Sequence, residues 1–125
     1  MAEKRKFRIN DRLESFVYAW NGMKAIYRTE HNLYIHTAIT IIALVLAIIL
    51  RIHVFEWIAL VIVIGMVWVA EIFNTVIEKT MDFISTERQP QIRKIKDMAA
   101  AAVLVTAIIA VIVGALIFIP QIQFK

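Results

Sequence analysis

The chain has no cysteine, which excludes disulfides, thiolate catalysis and cysteine-held metals. Glycine occurs only at Gly22, Gly65 and Gly114, so neither a GxxxxGK loop nor a GxGxxG turn is available to cradle phosphates. Proline is confined to Pro90 and Pro120, leaving long stretches free of the strongest helix breaker. His31 and His36 stand five apart and off any common helical face, and His53 belongs to a distant connection, so ligand spacing gives no histidine metal site. Formal charge is missing from two whole regions, residues 31–50 and 98–124. Each supplies the roughly 20 apolar residues that a bilayer-crossing helix requires.

What is present is largely apolar. At 125 residues, 61% hydrophobic, with mean hydropathy +0.73, the chain has the composition of an integral membrane protein of one domain, residues 1–125. A third span is expected between the two uncharged regions, but residues 57–70 offer only 14 uncharged positions. It closes only if Glu71 lies within it. A carboxylate at membrane depth costs about 3 kcal/mol on insertion scales, which makes Glu71 a functional-site candidate by default. Glu71, Asn74, Thr75, Glu78 and Asp82 follow at i, i+3, i+4, i+7 and i+11, a single polar stripe on one helical face.

The fold class predicted is all-α integral membrane: an amphipathic surface helix over about residues 11–29, then spans over about 33–50, 54–76 and 98–119. Seven Lys and Arg fall in residues 1–30 and five in 79–97, against Arg51 alone in the first connection and Lys125 in the tail. The positive-inside bias therefore places the N-terminus and the second connection in the cytoplasm, and the first connection and C-terminus outside. These basic residues flank the spans, where anionic lipid attracts them, so the +4 net charge points to the lipid bilayer and not to nucleic acid. With no apolar run before Asn32 and no small-residue cleavage site, a cleaved signal peptide is not expected. Pro90 is expected to break helicity in the second connection, with the third span's helix beginning near Ile92 and ending at Pro120. Ala99, Ala100, Ala101 and Ala102 form a small-residue packing seam, and Trp20, Trp57 and Trp68 read as interface or lipid-facing residues.

The cytoplasmic edge is expected to gather Glu30, Glu71, Asn74, Glu78, Asp82, Lys94, Lys96 and Asp97. Carboxylates beside lysines suit a magnesium–nucleotide complex, in which Mg²⁺ takes one or two carboxylates plus phosphate oxygens. A partly desolvated carboxylate such as Glu71 suits a general base toward a hydroxyl at the membrane surface. Two other readings stand beside this one: an oligomeric transporter using Glu71 for proton or cation coupling, and a structural membrane subunit.

The segment EIFNTVIEKTMD, followed by KIKDMAAAAVLV and preceded by YAWNGMKA and Glu30, resembles the prokaryotic diacylglycerol kinase family from about residue 12 to 119. The resemblance implies an ATP-dependent kinase acting on a membrane lipid alcohol, diacylglycerol or undecaprenol, in the bacterial inner membrane. It further implies a Mg²⁺ cofactor and a homotrimer with active sites shared between subunits. By the same resemblance, Glu71 is the catalytic base with Asn74 beside it, and Glu30 and Glu78 are the metal ligands. Nucleotide contacts would be Tyr18, Glu30, Glu78, Asp82, Lys96 and Asp97, with Glu87, Arg88 and Gln89 in the position of the family's nucleotide loop. Lipid contacts would be Ser15, Phe16, Tyr18, Ala19, Trp20, Met23, Lys24, Ala25 and Ile26, with Glu71. Where some members place an arginine near the start of the surface helix, this chain has Asp11, with Arg12 adjacent. AEIFNTVIE and EHNLYIH are more similar to the undecaprenol kinase branch.

Overall fold

A computed structural model describes residues 8–124; Lys4, Arg5, Lys6 and Lys125, which enter the charge asymmetry, lie outside them. Four helices follow in order: α1 Ile9–Thr29, α2 Asn32–Leu50, α3 Val54–Ile84 and α4 Pro90–Gln123, with no strand among the described residues. Helices α2, α3 and α4 are each long and apolar enough to cross a membrane. At 1.5 Å per residue α3 is about 46 Å long, well beyond the roughly 30 Å hydrocarbon core, so its polar end must leave the bilayer.

Each helix boundary has a local cause. Asp11 sits in the first turn of α1, where a carboxylate complements the helix dipole. Glu30, with φ −118° and ψ 108°, takes extended geometry and separates α1 from α2. Arg51 takes the left-handed conformation, φ 52° and ψ 52°, and reverses the chain between α2 and α3. The backbone N–H of His53 donates to the Glu56 carboxylate at 2.7 Å and opens α3.

The expected break ahead of Pro90 is present, with Gln89 extended at φ −102° and ψ 132°, but the ends of α4 depart from expectation. Helix α4 begins at Pro90 itself and not near Ile92, because proline's fixed φ and missing N–H cost nothing at the first helical position. Nor does Pro120 end the helix, which runs on to Gln123, with the Phe124 N–H reaching the Pro120 carbonyl at 3.1 Å. A proline near a helix end forfeits one hydrogen bond without having to stop the chain.

The most extensive helix pairing is α3 against α4. A core cluster of Ala47, Ile52, Leu60 and Ile117 sits around the α2–α3 reversal, with Trp57 and Phe118 against it. At the same end the Gln121 side-chain amide donates to Glu56 at 3.4 Å. Lipid tails are as apolar as these side chains, so close packing and such polar contacts, more than hydrophobic burial, hold the spans together. Of the alanine run, Ala99 is buried while Ala100, Ala101 and Ala102 remain exposed. Trp57 and Trp68 are half-buried, whereas Trp20 is exposed. The Trp68 indole N–H donates to Thr40 Oγ1 at 3.0 Å, which gives its polar atom a partner inside the bundle.

Candidate functional site

The polar stripe of α3 folds as its spacing predicts. Glu71 and Thr75 are 5% and 2% exposed, the buried polar residues among those described. Asn74 and Glu78 are half-buried, and Asp82, a turn further along, is exposed. About 10 Å of helix separates Glu71 from Glu78, so the two carboxylates occupy different depths.

Other elements bring partners to this stripe. Asn32, at the start of α2, donates its side-chain amide to Glu71 Oε1 at 3.4 Å, and His36 Nε2 stands 3.8 Å from Glu71 Oε2. Asn74 Nδ2 donates to Glu78 Oε1 at 3.4 Å, while Asn74 Oδ1 is buried without a hydrogen-bond partner. Lys79 Nζ pairs with Glu30 Oε1 at 3.1 Å, tying the α1–α2 joint to α3. Lys96, on the first turns of α4, pairs with Asp82 across the 85–89 connection. Within that connection Ser85 Oγ accepts from the Glu87 backbone N–H at 3.1 Å, and Gln89 N–H donates to the Glu87 carbonyl at 2.9 Å.

Residues Glu30, Glu71, Asn74, Glu78, Asp82 and Lys96 thus share one end of the bundle. Glu87, Arg88, Gln89, Lys94 and Asp97 lie at the same end and are exposed. The α1 residues stand apart. None of α1 is buried, and Phe16, Tyr18 and Trp20 are 75%, 68% and 64% exposed. Ser15 Oγ donates to the Asp11 carbonyl at 3.0 Å, and Lys24 Nζ lies 5.9 Å over the Trp20 ring. Met23 and Ile26 are half-buried, while Ala19 and Ala25 are exposed. Tyr27 docks α1 on the bundle, its hydroxyl 2.7 Å from Thr37 Oγ1 and its ring against Trp68. A shallow groove of about 490 Å³ lined by Gly65, Met66, Val69, Ala70 and Thr106 shares no residue with the carboxylate end.

His36 was absent from the residues expected at this end. Its signal was present as a spacing: Asn32, His36 and Thr40 recur every four residues, which places three polar side chains on one face of an apolar span. Among the described residues no three of His, Asp or Glu converge closely enough to hold a metal ion by themselves.

These features define a multi-pass α-helical membrane protein with a buried carboxylate beneath an edge of charged side chains. The chain belongs to the prokaryotic diacylglycerol kinase family, whose model matches residues 17–118. It is similar to the undecaprenol kinase of Bacillus subtilis (strain 168), 36% identical over 113 residues, which covers 90% of this chain and 92% of that one. It is also similar to the diacylglycerol kinase of Synechocystis sp., 35% identical over 109 residues, 86% of this chain and 62% of the relative. The diacylglycerol kinase of Escherichia coli (strain K12) is 32% identical over 95 residues, 76% of this chain and 78% of its own length. The protein is therefore a lipid kinase, which sets aside the transporter and structural-subunit readings.

Proposed function

We propose that this lipid kinase transfers the γ-phosphoryl group of ATP to the hydroxyl of a membrane lipid alcohol, with undecaprenol preferred to diacylglycerol. The depth of Glu71 carries the reading: a carboxylate 5% exposed within a span, with charged side chains about two to three turns further along the same helix. The acceptor preference rests on the Bacillus undecaprenol kinase, which matches over most of both chains.

In the proposed step Glu71 takes the hydroxyl proton as the lipid oxygen attacks the γ-phosphorus. A new P–O bond forms, the bond from the γ-phosphorus to the β–γ bridging oxygen breaks, and ADP leaves with the electron pair. Little covalent chemistry falls to the protein, so positioning and charge neutralisation dominate. Glu30 and Glu78 are the residues that would hold Mg²⁺, and Asn74 is a spare oxygen donor beside Glu78. This all-oxygen set fits the ion, which takes few protein ligands and leaves the rest to phosphates and water. Mg²⁺ bound there would offset negative charge on the transferring group.

Lys96 would exchange its Asp82 partner for phosphate oxygens, with Tyr18, Glu87, Arg88, Gln89 and Asp97 around the nucleotide. The α1 residues Ser15, Phe16, Tyr18, Ala19, Trp20, Met23, Lys24, Ala25 and Ile26 would line the lipid headgroup's approach. A homotrimer accounts for the unburied α1 and for the exposed Ala100, Ala101 and Ala102, which would pack against or reach into neighbouring copies. The protein lies in the bacterial plasma membrane with its charged end in the cytoplasm, where ATP is found.

The test offers undecaprenol, diacylglycerol and other lipid alcohols together to purified protein in micelles with γ-labelled ATP. Label should appear chiefly in undecaprenyl phosphate and vanish when Mg²⁺ is chelated. Predominant labelling of phosphatidate would reverse the acceptor assignment, and no labelled lipid at all would defeat the reading.

A further inference from the structure

Resting on the reading of Glu71 as the base, we propose that His36, seconded by Asn32, is a positioning residue that orients the Glu71 carboxylate for proton abstraction. The two side chains are one helical turn apart on α2, and they divide the carboxylate between them. Asn32 Nδ2 donates to Oε1 at 3.4 Å, and His36 Nε2 faces Oε2 at 3.8 Å. A glutamate has three side-chain torsions, and a base that must meet a hydroxyl in one geometry gains from having both oxygens located. The 3.8 Å separation exceeds hydrogen-bond length, as is common for catalytic contacts before substrate is bound. His36 is also the more open of the two, its side chain 22% exposed against 7% for Glu71.

The simpler alternative is that these polar groups only glue α2 to α3. Thr40 and Trp68 already do that, with the indole N–H donating to Thr40 Oγ1 at 3.0 Å a turn deeper. Tyr27 and Thr37 add a second tie, from α1 to α2. The Trp68–Thr40 bond therefore ties α2 to α3 without His36, and both Asn32 and His36 converge on one carboxylate. Plain glue would distribute over several partners.

The experiment compares H36L, H36Q, N32L and E71Q in purified protein, with undecaprenol and with diacylglycerol as acceptors, resolving kcat from KM. H36L should lower kcat about 10- to 100-fold, the range for a lost bond to a charged group, with KM for ATP and lipid within about twofold of wild type. H36Q retains a side-chain N–H donor and should recover most of that loss, while N32L should lower kcat about tenfold, also at constant KM. In an E71D background, where the carboxylate is already withdrawn by one methylene, H36L should cost clearly less than in wild type. Wild-type kcat in H36L, a change confined to KM, H36Q as slow as H36L, or an undiminished cost in E71D would each overturn the proposal. Should H36L fail to fold, H36Q and N32L decide: wild-type kcat in N32L, or a tenfold loss of kcat in H36Q, overturns it. Failure of the underlying reading looks different, because E71Q itself would then turn over normally.

Discussion

At the residue scale, three kinds of partnership surround the α3 stripe, and each gives its carboxylate a different character. Glu71 is enclosed by neutral or weakly basic donors from α2, Glu78 by the amide of Asn74, and Asp82 by the Lys96 ammonium. The buried group suits proton transfer, Glu78 suits a cation, and the lysine paired with Asp82 suits phosphate oxygens. Replacing Glu78 or Glu30 by Gln should raise the Mg²⁺ concentration for half-maximal rate by about tenfold or more, read from metal titrations of lipid phosphorylation. Replacing Lys96 by Met should raise KM for ATP by about tenfold, close to the 1.4 kcal/mol of one charge-assisted hydrogen bond, and leave KM for lipid unchanged. The place of Glu71 inside the second long apolar helix was legible in the sequence, because no span closes without it. The partnership with His36 was not, since it joins residues 35 positions apart and depends on how α2 is rotated against α3.

At the element scale, periodicity and charge-free length sufficed for three long apolar helices, but boundaries depended on local geometry. Pro90 and Pro120 both read as interruptions; the first holds, with Gln89 extended and α4 opening on the proline, while Pro120 lies inside α4, because a proline's effect depends on whether its missing N–H was needed. The hydrogen bond from Trp68 to the hydroxyl of Thr40, 28 residues earlier, likewise depends on how the helices are set against each other. Arg51 marks a reversal that holds a side chain in left-handed geometry. Arg51→Gly should stabilise the protein by about 0.5–1 kcal/mol through relief of that strain, seen as a higher midpoint of thermal denaturation in detergent. Ala99→Leu should act in the opposite sense, because a buried alanine at the start of the α4 seam leaves no room for three extra carbons. Overpacking of this kind costs about 1–3 kcal/mol.

At the scale of the whole molecule, the helices are arranged so that lipid and nucleotide would approach one end from different phases. The long α3 carries the stripe from the buried Glu71 to the exposed Asp82, and α1, joined through Glu30, lies beside that end with its surface uncovered. The absence of native cysteine makes the topology directly testable. A single cysteine at Ser85 should react with an impermeant maleimide only from the cytoplasmic side, and one at Arg51 only from outside; the reverse pattern would invert the orientation. The central claim is that a carboxylate within the span removes the proton of a lipid hydroxyl. Its most direct test is the turnover of purified, folded E71Q protein with ATP, Mg²⁺ and undecaprenol. A general base contributes about 10²- to 10⁴-fold, so lipid phosphorylation should fall by at least that factor while ATP still binds. Turnover within a few-fold of wild type would contradict it.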